Sequence, residues 1–221
     1  MKRIKLSERL LPDYTLGEEI FNAISHGVGV PLGIVVCVLC AIKTYGDLLP
    51  FIGALIFGCS MIVLYALSTL YHSFRPSITK KVFQILDHCT IYLLIAGTYT
   101  PILLTVIIPN APVVGWGLLI FQWGVSVVAI VLNAIDLHYY RHFSNISYIA
   151  LGWAIILVAP MAFPLLDPFC LLYLVLGGIS YTVGAVAFFI GIKRHWFHSI
   201  FHVFVVLGSF LHFIAIYCYM L

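Results

Sequence analysis

The chain has 221 residues, 63% of them hydrophobic and only 9% charged, with a formal net charge of +3. A soluble globular domain carries about 25% charged residues, so this composition excludes one and specifies an all-α integral membrane protein. The slight basic excess requires no nucleic-acid partner, because membrane topology accounts for it.

Residues 1–19 are rich in charge and lack the apolar core and small-residue cleavage site of a signal peptide. They form an N-terminal segment, and the first apolar stretch is itself the insertion signal for a single transmembrane domain over 20–221. Runs free of Asp, Glu, Lys and Arg cover 20–42, 48–74, 88–135, 142–166, 168–192 and 195–221. About 20 apolar residues suffice to cross the hydrocarbon, so the longest run holds two spans, divided at Pro109 and Pro112 in IIPNAP. The prediction is seven transmembrane helices, at roughly 20–43, 48–73, 82–107, 112–134, 144–164, 168–191 and 197–220.

Within these spans, Gly29 and Gly33 form G-x-x-x-G in the first helix. Gly177, Ser180, Gly184, Ala187 and Gly191 form a small-residue face on the sixth, and both patterns permit close helix contact in lipid. Pro31, Pro101, Pro160 and Pro164 are expected to kink or end their helices. The six cysteines, Cys37, Cys40, Cys59, Cys89, Cys170 and Cys218, lie inside or at the edge of spans. Disulfide chemistry is remote there, and Cys37-x-x-Cys40 is read as packing.

Ten of the eleven basic residues fall on one side of the bundle: Lys2, Arg3, Lys5 and Arg9; Arg75, Lys80 and Lys81; Arg141; Lys193 and Arg194. Only Lys43 falls on the other side. The positive-inside rule then puts the N-terminus in the cytoplasm and the C-terminus outside.

The polar residues cluster on the same basis. His72 ends the second helix, Asp87 lies in the first turns of the third, and His198 and His202 open the seventh. Three histidines and a carboxylate, far apart in sequence, therefore share one depth and one leaflet. His198 and His202, at i and i+4, share a helix face. An imidazole in a membrane must offset its desolvation, and ligation of a metal by the neutral ring does so. His72, His198 and His202 are the candidate ligands, and three imidazoles with a fourth position for water is the arrangement of catalytic zinc. Ligand type alone does not separate zinc from iron or cobalt.

Asp87 is the candidate base, or the orienter of a ligand ring. Ser68, one turn before His72, either donates toward the site or back-bonds to its own helix carbonyl. Glu19, Asn22 and His26 in EEIFNAISHG stand at i, i+3 and i+7 on one face of the first helix. They either support the site or, for the carboxylates, cap the helix. His212 is about 15 Å deeper than His202 by the helical rise, too far to share an ion, and is expected to meet a polar group of another helix. His88, His138, His142 and His195 receive no role.

EEIFNAISHG, STLYHS, LDHCTIYLLIAGTYTP and HSIFHVFVVLGSFLHFIAIY, in that order, resemble the bacterial hemolysin III family, prokaryotic relatives of the adiponectin and progestin receptors. The resemblance covers nearly the whole chain after about residue 15. It implies seven helices with a cytoplasmic N-terminus and a zinc site near the cytoplasmic face, held by His72, His198 and His202, with Ser68 and Asp87 beside it. The wider superfamily is similar to alkaline ceramidases, which implies hydrolysis of a lipid amide, whereas the family name points to red-cell lysis. Three functions are therefore expected in competition: a zinc-dependent hydrolase of a lipid-like amide or ester, a non-enzymatic membrane regulator with structural zinc, and a cytolysin. The expected partner is a membrane lipid or lipid-like substrate, and no protein partner is identifiable.

Overall fold

Water is absent from the hydrocarbon, so each apolar segment has to satisfy its backbone within itself, and the helix does so. In the computed structural model, which describes residues 5–191 and 194–221, all regular elements among those residues are helical. The long elements are α1 (Leu16–Lys43), α2 (Leu48–Ser73), α3 (Ile78–Ile102), α4 (Pro112–Asp136), α5 (Arg141–Gly152), α6 (Pro168–Gly191) and α7 (Phe197–Tyr219). Six spans are continuous. The seventh is broken: α5 and the segment Ala154–Leu165 meet at a 43° bend. Seven spans match the sequence expectation. Lys2, Arg3 and Lys193, three of the charges used for orientation, lie outside the described residues.

Several helices begin earlier than their charge-free runs. α1 starts at Leu16 because Thr15 caps it in a capping box: its side chain accepts from Glu18 N, and Glu18 reaches back to the Thr15 backbone. Ser77 caps α3 by accepting from Lys80 N. Carboxylates and lysines thus occupy helical first turns that a search for charge-free segments trims away.

The prolines act differently from one another. Pro31 stays inside α1. Pro101 stays inside α3, but the helix then widens into a π turn at Leu103–Ile107 before Ile108–Asn110, the accommodation expected where a ladder bond is lost. Pro112 stands at the first position of α4, where a missing N–H costs nothing. The α5 break falls at Trp153, ahead of Pro160 and Pro164, and passes through a 3₁₀ stretch at Ala154–Val158. Backbone freed at that depth needs partners. Tyr99 Oη donates to Gly152 O (2.9 Å) and accepts from Ile155 N (2.9 Å), while Gln122 Nε2 donates to Leu151 O (2.9 Å).

Consecutive helices pack in order, α7 closes against α1, and α3 is buried along most of its length. The small-residue faces sit at the closest approaches. A Cβ on Gly33 would come within 2.8 Å of Ile62 Cγ1, and one on Gly29 would enter the Tyr65 ring. On α6, Gly177 receives the His212 ring, Gly184 faces Phe201 and Phe204, and Ser180 Oγ donates to Phe204 O at 2.8 Å. The α1–α2 and α6–α7 pairs are therefore held at short range, which fixes the relative depth of the histidines they carry.

Candidate metal centre

α2 and α7 bring three imidazoles to one point near the end of the bundle that carries the N-terminus. His72, His198 and His202 are all buried, and their ligand atoms lie within 4.8 Å of one another. His198 Nε2 is 3.3 Å from His72 Nε2 and 3.1 Å from His202 Nε2. Tetrahedral zinc with Zn–N bonds of 2.0–2.1 Å sets its ligand nitrogens about 3.3 Å apart, so this spacing fits a metal.

The opposite ring nitrogens fix the tautomers. His72 Nδ1 lies 2.7 Å from Glu19 Oε2, and a carboxylate accepts, so the proton sits on Nδ1. His202 Nδ1 lies 3.2 Å from the Asn22 carbonyl oxygen, which also only accepts. Both rings therefore turn an Nε2 lone pair toward His198 Nε2. A proton on His198 Nε2 satisfies one of these lone pairs, whereas a cation satisfies all three nitrogens. This donor set fits a divalent metal with imidazole ligands.

α1 supplies the supporting partners. Glu18 is consumed by the capping box and by the loop before α7, where it accepts from His195 Nδ1 (2.9 Å) and Trp196 N. Glu19 is not a cap: it holds His72 with one oxygen and the Lys80 ammonium with the other, each at 2.7 Å. Asn22 receives His202 at its carbonyl and Ser199 Oγ at its side-chain oxygen (2.7 Å). His26 stacks on His202, with ring centroids 3.6 Å apart.

Ser68 is fully buried, and its Oγ has no hydrogen-bond partner among the described residues, so the back-bond to its helix carbonyl is not made. Asp87 stands outside the three-histidine set. Its carboxylate lies 3.6 Å from His88 Nδ1, and the side chain lines an apolar cavity within the bundle. His212 Nε2 meets Leu174 O of α6 at 3.0 Å, away from the cluster.

The N-terminal arm lies across the site. Tyr14 stacks on His198, with centroids 4.9 Å apart and planes 18° apart, and tilts over His72. Burial, and then the charges of Asp87, Glu19 and Glu18, push the Tyr14 phenol above its ordinary range, so it remains a neutral donor. Arg9 reaches Asp136 at 3.6 Å and Ile135 O at 3.3 Å, and Lys81 Nζ donates to Ser7 O at 2.6 Å. The sequence reading missed Tyr14, Lys80 and Ser199. The pattern Thr15-x-x-Glu18 carried the signal for Tyr14, because a capping box there sets Tyr14 just ahead of α1.

Two cavities meet beside the cluster. One is apolar, with a cavity volume of about 130 Å3, and is walled mainly by α3, α5, α6 and α7, with His26 and Asp87 on its lining. The other is a vestibule bounded by the N-terminal arm and carrying charged residues, Arg141 and Arg194 among them, with His198 on its lining. His88, Asn145 and Phe188 line both.

Comparison with known proteins finds relatives along nearly the whole chain. The family model described as Haemolysin-III related matches residues 14–213. A hemolysin-3 homolog of Bacillus subtilis (strain 168) is 39% identical over 198 residues, covering 89% of this chain and 91% of that protein. The hemolysin-3 of Bacillus cereus is 38% identical over 206 residues, covering 92% of each. With its membrane-spanning bundle and a match along nearly its whole length, this multi-pass membrane protein belongs to the haemolysin-III related family.

Proposed function

We propose that this chain is a zinc-dependent hydrolase of an amide or ester in a lipid-like amphiphile, oriented with its N-terminus in the cytoplasm. The observation that carries the reading is that His198 of the three-histidine cluster lines a vestibule, which shares His88, Asn145 and Phe188 with an adjoining apolar cavity. An amphiphile partitions its head and its chain between two such spaces, which brings the linkage between them to the cluster.

His72, His198 and His202 would hold the metal. Bound zinc supplies an acidified water and a Lewis acid for a carbonyl oxygen. Glu19 and Asn22 orient two of the ligand rings. Asp87, on the cavity wall, would take a proton from the attacking water at its carboxylate and return it to the leaving nitrogen or oxygen of the cleaved amide or ester. Ser68 offers its unpartnered hydroxyl to the carbonyl oxygen as that atom gains charge.

The test is turnover by purified protein, metal-loaded and metal-depleted, across ceramide-like, N-acyl and phospholipid panels read by mass spectrometry. Metal-dependent release of a fatty acid supports the reading, and no turnover on any panel member refutes it. A non-enzymatic regulator with a structural metal is the second reading, favoured by the Tyr14 ring seated on His198. A structural metal should carry the fold, so chelation would abolish the cooperative melt; a catalytic one would leave the fold and remove activity. Direct lysis, which the relatives' names suggest, has less behind it, because a pore needs polar lining through the whole bilayer and the deep cavity is apolar. If His202→Ala abolished metal binding but left lysis intact, lysis would be detached from the cluster.

A further inference from the structure

We infer that Lys80 is a positioning residue for the metal site, acting through Glu19 on His72. The inference rests on the metal-binding part of the proposed reading and not on hydrolysis. In the sequence Lys80 is one of a group of basic residues between two spans, where topology accounts for it. In the structure it is 3% exposed and turned inward. Its ammonium donates to Glu19 Oε1 at 2.7 Å and to Phe74 O at 2.9 Å, and stands 5.1 Å from the centroid of the Tyr71 ring. A buried ammonium is costly unless its donors are met, and here two oxygens and an aromatic face meet it.

The connection to the metal site runs through one carboxylate. Glu19 holds Lys80 with Oε1 and His72 Nδ1 with Oε2, both at 2.7 Å. The Glu19 side chain is 17% exposed, whereas those of Lys80 and His72 are nearly fully buried. Without the ammonium, Glu19 can swing toward the polar end of the bundle and be hydrated there. With it, both carboxylate oxygens are pinned, the plane of the carboxylate is set, and His72 keeps its Nδ1 proton and its ring orientation. The cation also offsets the carboxylate charge beside the imidazole. Lys80, Glu19 and His72 thus form a relay from α3 through α1 to the ligand on α2.

The experiment measures zinc affinity of the full-length protein in detergent by competition with a chelating dye, together with thermal melts of the metal-free forms. The variants are Lys80→Met, Lys80→Gln, Lys80→Arg, Glu19→Gln and the double variant Lys80→Met/Glu19→Gln. Loss of a group that orients a ligand weakens metal binding about 10- to 100-fold. Lys80→Met is expected at the lower end of that range, with Lys80→Arg restoring most of the loss. The double variant should bind no more weakly than Glu19→Gln, since both substitutions break the same relay. Should Lys80→Met fail to fold, Lys80→Gln, which keeps a donor for Phe74 O, takes its place. Unchanged affinity in the Lys80 variants overturns the inference. So does a loss that adds in full to that of Glu19→Gln, because Lys80 would then act through Phe74 O and the α2–α3 turn alone. Wild-type protein that takes up no zinc overturns it together with the metal reading. Absence of lipid turnover tells against hydrolysis only.

Discussion

Replacing Asp87 by alanine should leave the metal in place and remove activity, and the structure sets how far apart those two effects lie. Asp87 is outside the three-histidine set, and its carboxylate lies 3.6 Å from His88 Nδ1. Its removal touches none of the Nε2 atoms and neither orienting bond, Glu19 to His72 at 2.7 Å and Asn22 O to His202 at 3.2 Å. Metal affinity should therefore change by less than the roughly tenfold that marks loss of an orienting group. Turnover should fall by about 10²- to 10⁴-fold, the contribution of a positioned base. His198→Ala or His202→Ala each deletes one of three ligands, and should cost more than the roughly 100-fold upper range for an orienting group. The assay is elemental analysis of protein equilibrated against a zinc buffer, paired with turnover on the best lipid substrate. If Asp87→Ala loses metal in step with the histidine variants, Asp87 is a fourth ligand. The site is then closed, and the reasoning that makes it catalytic fails.

Three further outcomes follow from packing over the site and elsewhere in the bundle. Tyr14→Ala should hasten extraction of bound zinc by an external chelator by roughly tenfold, equivalent to the ~1.4 kcal/mol that such a ring contact contributes; an unchanged rate in stopped-flow would mean that the arm does not cover the cluster in solution. Tyr99→Phe strands Gly152 O and Ile155 N at the broken span and should lower stability by about 1–3 kcal/mol for each group left unpaired, seen as a lower melting temperature in detergent. Gly177→Ala sets a methyl into the His212 ring and should cost about 1–3 kcal/mol by overpacking. The same substitution in a His212→Ala background should be near neutral by the same melt.

How much of this was legible in the residues differs from element to element. The charge-free runs placed all seven spans to within a few residues, because hydrocarbon demands apolar side chains and an internally bonded backbone whatever the neighbours are. The glycine and small-residue faces of α1 and α6 were readable for a related reason: close approach in lipid depends on side-chain size. Helix starts were less so. Thr15 and Ser77 admit charged residues into the first turns, and a search for uncharged segments discards them.

At the site, the i, i+4 pair His198 and His202 and their shared depth with His72 followed from spacing and topology alone. Their approach to 3.1–3.3 Å did not, because it depends on how α2 and α7 sit against α1. The two carboxylates of EEIFNAISHG are adjacent in sequence and nearly identical in chemistry, yet Glu18 caps the helix while Glu19 holds His72 and Lys80. One residue along a helix turns a side chain by about 100°, and only the packed neighbours decide which direction meets a helix end and which meets an imidazole. Lys80 and Tyr14 show the same limit. By composition one is a topological charge and the other an aromatic ahead of a span. Tertiary structure, by burying one against Glu19 and stacking the other on His198, makes both part of the site.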